Sequence, residues 1–263
     1  MTSSLPRLVG MVHLLPLPGS PRFTGSMDRV VSTAAADAAT LSDAGFPALI
    51  VENLGDVPFH PDRVPAETIA SMTVAVVQVM ETGLPVGVNV LRNDALAALG
   101  IAASVGAAFI RVNVLTGTMY TDQGPITGRA DEVQRTRARL APDVEVWADV
   151  MVKHAVPPVG LDPAQAAVDT VERGMADAVV VSGSGTGVEV DLEQAGVISR
   201  AVSPGTRVVI GSGANVDNLD RLLSVADTFI VGSAVKVDGL AGNRPDPLRA
   251  KAFVERAAER GLV

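Results

Sequence analysis

Cysteine is absent from the 263 residues. No disulfide framework, cysteine-based metal site or thiol nucleophile can therefore be built, and a reducing compartment suits the chain. Long apolar runs are missing as well. None reaches the roughly 18 residues of a membrane-spanning helix. Leu8–Leu17 imitates the core of a secretion signal, but it contains His13 and Pro16, has only Arg7 as a basic flank and lacks a small-residue cleavage site. It reads as a buried strand, and the expectation is a soluble, cytoplasmic protein with no membrane span. Positive charge is scarce: 21 basic against 29 acidic side chains leave a net charge of −8. That argues against a nucleic-acid partner held through a basic surface. The only histidines are His13, His60 and His154, with no metal-ligand spacing. No cofactor is expected on this pattern, and a divalent metal is left as an alternative without a motif. A serine-hydrolase triad is not readable, because no Gly-x-Ser-x-Gly elbow follows a suitable strand.

What is present is apolar and periodic. Hydrophobic residues make up 48% of the chain, enough for a sizeable core and too many for a disordered one. Short β-branched runs at Leu8–Leu14, Ala48–Leu54, Val86–Leu91, Phe109–Leu115, Glu145–Val152, Ala178–Ser182, Arg207–Ile210 and Thr228–Val231 read as strands. Helical patterns fill the gaps, at Asp28–Ala44, Ala66–Glu81, Asn93–Val105, Asp131–Leu140, Pro163–Arg173, Asp191–Ala201, Val216–Leu223 and Pro247–Arg260. Strand then helix eight times over predicts a single-domain (β/α)8 barrel, an α/β TIM barrel spanning 1–263. A doubly wound open sheet is the alternative, but its nucleotide fingerprint should follow the first strand, where Pro16, Pro18 and Pro21 stand instead. The longest irregular stretch, Thr116 to Arg129, reads as a polar loop, a candidate lid.

Side chains two apart share a strand face. Ile110, Val112 and Val114 should meet the helices, which turns Arg111 and Asn113 into the barrel. The same rule points Gly87, Asn89 and Leu91 inward on the third strand, Val9, Met11 and His13 on the first, and Trp147, Asp149 and Met151 on the fifth. On the second strand, either Glu52 or Asn53 must face inward. Polar residues thus collect at the C-terminal strand ends, where barrel active sites sit.

Three glycine-rich turns follow the late strands: Ser182–Gly187, Gly211–Asn215 and Gly232–Ala234. Glycine lets backbone N–H groups approach an anion closely, and the loops after the seventh and eighth strands are the usual barrel phosphate site. Gly211, Ser212, Gly213, Gly232 and Ser233 are the expected phosphate ligands, with Lys236 neutralising the charge. The turn after the sixth strand is either a third wall or a mobile loop. Lysine occurs only at 153, 236 and 251. Lys153 is a candidate Schiff-base amine, general acid or charge clamp.

Several segments together resemble the BtpA/SgcQ family. They are Gly10-Met-Val-His-Leu-Leu-Pro-Leu-Pro-Gly-Ser-Pro21, Val51-Glu-Asn-Leu-Gly-Asp-Val-Pro-Phe59, Phe109-Ile-Arg-Val-Asn-Val-Leu115, Tyr120-Thr-Asp-Gln-Gly124 and Ala148-Asp-Val-Met-Val-Lys-His-Ala155. Leu54 departs from the pattern, which has an aromatic there. The resemblance implies a TIM barrel akin to the ribulose-phosphate-binding barrels. One branch takes its name from photosystem I biogenesis, another sits among sugar-utilisation genes, and no settled reaction comes with either.

The expected function is an enzyme acting on a phosphorylated sugar or ribosyl-type metabolite by isomerase, lyase or glycosyl-bond chemistry. Asp149 or Glu52 would be the base and His13 or Lys153 its acid partner. Asn89, Arg111, Asn113 and Ser182 would orient the substrate. The expected partner is a phosphorylated small molecule, with a homo-oligomer as a further expectation. The alternatives are a non-enzymatic assembly factor for a membrane complex such as photosystem I, and a barrel that only binds a phosphometabolite.

Overall fold

A computed structural model describes residues 5–183, 185 and 189–263. Eight parallel strands close into a barrel: β1 (Leu8–His13), β2 (Leu49–Glu52), β3 (Val86–Asn89), β4 (Phe109–Val112), β7 (Glu145–Asp149), β9 (Ala178–Val181), β10 (Arg207–Ile210) and β11 (Thr228–Val231). Their order around the barrel is the chain order, with β1 closing against β11 through Leu8–Phe229, Val9–Ile230 and Gly10–Val231. Helices α1 (Met27–Asp43), α2 (Ala66–Met80), α3 (Ala95–Val105), α4 (Ala130–Leu140), α5 (Pro163–Val168), α6 (Leu192–Ala201), α7 (Leu219–Leu222) and α8 (Pro247–Ala258) follow the strands one for one. The fifth helical stretch runs to Arg173 as expected, but its second half, Asp169–Arg173, is a π-helical turn.

The period-two pattern sorts the strand side chains into two layers. Ile110, Val112, Val146, Ala148, Val179 and Val181 belong to the outer core beneath the helices. Val9, Met11, Ile50, Phe109, Trp147, Val180, Val209 and Ile230 fill the barrel. Phe109 and Trp147 stack inside it with ring centroids 4.0 Å apart. Gly87 makes that stack feasible, because a Cβ there would overlap the Phe109 ring.

The stretch from Thr116 to Arg129 is not an irregular loop. Strands β5 (Thr118–Thr121) and β6 (Gly124–Thr127) form an antiparallel hairpin, and β8 (Ala155–Val156) pairs with β5 as a third strand. Met119, Ile126, Val114 and Val152 bury a small core beneath this sheet, and Gly124, at φ 94, completes the turn. The hairpin therefore packs beside the segment that follows β7. No helix among the described residues is long and apolar enough to cross a membrane.

Candidate active site

The strand register places a polar ring at the C-terminal end of the barrel. His13 stands opposite Glu52, Glu52 opposite Asn89, and Asn89 opposite Arg111 across β1 to β4. Of the pair on β2, Glu52 is the residue that turns inward. Asn53 faces the other way and holds the Leu91 amide (2.7 Å) and the Asp56 carboxylate (3.0 Å).

Two sub-networks divide the ring. In one, Arg111 donates from Nε and Nη2 to the Asp149 carboxylate, both at 3.1 Å, from Nη2 to Ser182 Oγ at 3.2 Å and from Nη1 to the Gly211 carbonyl at 3.3 Å. Asn113 Nδ2 adds a bond to Asp149 at 2.8 Å. The Arg111 and Asp149 side chains are wholly buried. Against the cost of burial, Asp149 and Glu52 hold the Arg111 guanidinium above its ordinary range. Arg111, expected to orient substrate, is thus consumed in tying β4, β7, β9 and β10 together. Asp149 is enclosed by the same bonds.

The second sub-network is open. Asn89 Nδ2 donates to Glu52 Oε2 at 2.6 Å, and His13 Nε2 lies 3.6 Å from Glu52 Oε1. His13 Nδ1 sits 2.9 Å from the Ala241 carbonyl, which also accepts from Lys236 Nζ at 3.0 Å. A carbonyl only accepts, so Nδ1 carries the proton and Nε2 presents a lone pair toward Glu52. Burial, reinforced by the Lys236 ammonium, pushes the imidazole down to about 4, although Glu52 pulls the other way. Burial by itself would raise Glu52; the Lys153 ammonium foremost, with Arg111 and the Asn89 hydrogen bond, outweighs it and holds the carboxyl below its ordinary value. Burial also lowers Lys153, which Glu52 partly offsets. Among the described residues, the amide oxygens of Asn89 and Asn113 are buried without a partner.

Lys153 does not continue the fifth strand. A regular strand would carry it some four residues beyond Asp149 on the same face. Instead β7 stops at Asp149, Met151 takes φ 59 and His154 φ 55. These left-handed residues turn the chain so that the carboxylate acting most strongly on Lys153 is Glu52, ahead of Asp149.

Two adjoining hollows share Lys153 and Leu54. A small cup is lined by Met11, His13, Ile230 and the turns Gly211–Ala214 and Gly232–Ser233. Among the described residues, the backbone N–H groups of Ser212, Gly213 and Ala214 donate to nothing, and Ser212 Oγ is buried without a partner. In the turn at Ser233–Val235, the first amide bonded within the turn is that of Val235, to Gly232. The expected phosphate ligands Gly211, Ser212, Gly213, Gly232 and Ser233 are therefore brought together. Lys236 is not among the residues lining the cup; its amine is directed to the Ala241 carbonyl. The second hollow, about 420 Å³, lies toward β2 and β3 and is lined by Glu52, Val57, Phe59, Leu91, Arg92, Asp122 and His154. Arg92 and Asp122 were not expected at the site. Ser182 and Gly183 border a third hollow near Met151 and Glu189. Of the rest of that glycine-rich turn, Ser184, Thr186 and Gly187 lie outside the described residues. Among the described residues, no three His, Asp or Glu side chains converge as metal ligands.

The model of the BtpA family matches residues 5–259. A protein of Thermococcus kodakarensis described as uncharacterized is 51% identical over 253 residues, covering 96% of this chain and 95% of its own. The photosystem I biogenesis protein BtpA of Synechocystis is 46% identical over 253 residues, covering 96% of this chain and 88% of its own. Among solved structures, thiamine phosphate pyrophosphorylase from Pyrococcus furiosus superposes with a TM-score of 0.60 at 16% identity, over 96% of both chains. At that identity the likeness is one of fold.

Proposed function

The chain belongs to the BtpA family, and from that premise we propose that it is an enzyme performing proton-transfer chemistry on a phosphorylated sugar. The observation that carries this reading is that Lys153 and Leu54 line both the glycine-turn cup and the hollow containing Glu52. A phosphoryl group in the cup would place the adjoining carbons beside a carboxylate and an ammonium. Backbone N–H groups at Ser212–Ala214 would bind the phosphoryl oxygens. The name of the superposable pyrophosphorylase refers to a phosphorylated ligand, which agrees with that use of the fold.

Glu52 is the proposed base. It is ionised, fixed by Asn89 and backed by the neutral Nε2 of His13, so an abstracted proton meets two acceptors. Lys153, its charge destabilised by burial, donates a proton to the oxygen on which charge develops, or stabilises that charge as a cation. Asn89 holds Glu52 and Asn113 holds Asp149 from beneath the hollows. Asp149, an alternative base in the sequence, has its carboxylate occupied by Arg111 and Asn113 and serves here to position the mouth.

A panel of phosphosugars incubated in D2O and followed by NMR tests this. One member should exchange a carbon-bound proton or turn over. Glu52→Gln should slow that at least about a hundredfold, the scale for losing a general base, and Lys153→Met should slow it too. Wild-type rates in both variants would refute the assignment. A non-enzymatic assembly role draws support from the printed name of the Synechocystis relative; it requires no turnover and no dependence on Glu52.

A further inference from the structure

A phosphate in the cup puts the reacting carbons at the Glu52–Lys153 edge of the 420 Å³ hollow on the β2–β3 side, and they leave its Val57, Phe59, Leu91 and Arg92 walls uncontacted. That volume is within the range of small-molecule pockets and is far larger than one water occupies. Its walls are apolar at Leu54, Val57, Phe59 and Leu91, and beyond Lys153 one further cationic donor, Arg92, stands among them. Arg92 is only 4% exposed. Its side chain makes a single hydrogen bond, from Nη2 to the Lys153 carbonyl at 2.6 Å. A guanidinium has five N–H donors, and those remaining on Arg92 have no acceptor among the described residues. No Arg92 nitrogen is among the buried unpartnered atoms, so these donors stay open to a ligand that enters the hollow they line. The hollow carries no excess of either charge, since Arg92 and Lys153 face Glu52 and Asp122. An uncharged acceptor suits it better than a second anion.

We infer that this hollow takes a planar, hydrogen-bond-accepting group joined to the phosphosugar, held flat against Phe59 and Leu91 and read by Arg92. The substrate class is then a phosphosugar conjugate, such as a phosphoribosyl heterocycle, rather than a free phosphosugar. The inference rests on the proposed use of the cup for phosphate.

Calorimetric titration with two probes tests it, ribose 5-phosphate and uridine 5′-monophosphate. The second adds a flat, carbonyl-bearing ring to the first. Uridine 5′-monophosphate should bind about tenfold tighter or better, a difference of one decade in Kd. Arg92→Leu should abolish that advantage, read as the ratio of the two Kd values within the same variant. Phe59→Ala, whose half-buried ring is outside the main core, should also reduce it, and it decides the matter if Arg92→Leu does not fold. If ribose 5-phosphate binds and uridine 5′-monophosphate binds no tighter, the inference falls and the cup remains. Retention of the full advantage in both variants also overturns it. Binding of neither probe overturns the inference and the phosphate reading together.

Discussion

The Ala241 carbonyl sets the state of the His13 imidazole. It accepts from Nδ1 and from the Lys236 ammonium, so one backbone oxygen fixes the tautomer and brings a cation beside the ring. The groups acting on His13 are Lys236 and Lys153, which lower its pKa, and Glu52, which raises it. Lys236 in turn faces Asp37 from α1, and Asp37 is held by Arg244 at 2.6 Å. Removing the Lys236 charge should raise the His13 pKa above about 4. With only three histidines in the chain, nitrogen-detected NMR of Lys236→Met can follow each ring. An unmoved His13 would show that Lys236 merely fills space. The same shift gives a sign for acid stability. A histidine depressed in the folded state resists protonation there, so stability is fully present above pH 6.5 and is lost as pH falls toward 4. For His13 alone the loss is about 3 kcal/mol across that window, and the lowered Glu52 pKa acts in the same direction. Thermal melts between pH 7 and pH 4 should fall steadily, and a flat profile would contradict it. None of this was legible at Lys236, which the sequence placed with the phosphate ligands. The carbonyl that diverts its amine follows five residues later in a loop without periodicity, and its charge partner Asp37 is some 200 residues away.

At the scale of elements, the barrel strands were readable because each has two faces with different neighbours. The inward set on β4 and β7 alternates with an outward aliphatic set: Ile110, Val112, Val146 and Ala148 lie under the helices and Phe109 and Trp147 inside the barrel, whereas Val114 joins the core beneath the hairpin and Met151 leaves the strand in a left-handed turn. The close fit between strands can be probed at Gly87. Gly87→Ala should destabilise by about 1–3 kcal/mol, the usual cost of overpacking, because the new methyl overlaps Phe109. Phe109→Leu in the same chain should restore part of that loss, and a simple sum of the two penalties in denaturant melts would rule out the clash. The hairpin at Thr118–Thr127 was not readable as strands. Each strand has four residues, Pro125 and Gly124 interrupt the pattern, and its third partner at Ala155–Val156 comes from beyond β7. The turn at Met151–His154 was equally hidden, since left-handed backbone at Met and His has no sequence signal. That turn decides which carboxylate Lys153 serves.

For the whole molecule, the sequence named most residues of the mouth but not how they divide. Arg111 and Asp149 are 38 positions apart and join only when β4 and β7 become neighbours. Arg92 and Asp122 lie past their strands, where periodicity ends. An open groove of about 650 Å³ on the helix layer, lined by Gln134, Arg137 and Met175, exceeds either mouth hollow. Two of its three arginines are answered locally, Arg135 by Asp131 at 3.6 Å and Arg137 by Asp177 at 3.0 Å, and the polar ring at the strand ends is elsewhere. The division of the mouth into an anion cup and a reactive hollow is therefore the central claim. A crystal structure with saturating ribose 5-phosphate, grown without phosphate or sulfate, tests it most directly. The phosphoryl oxygens should lie within hydrogen-bond distance of the Ser212–Ala214 amides, with the sugar beside Lys153 and Glu52. A phosphoryl group on the helix-layer arginines, or an empty mouth, would contradict it.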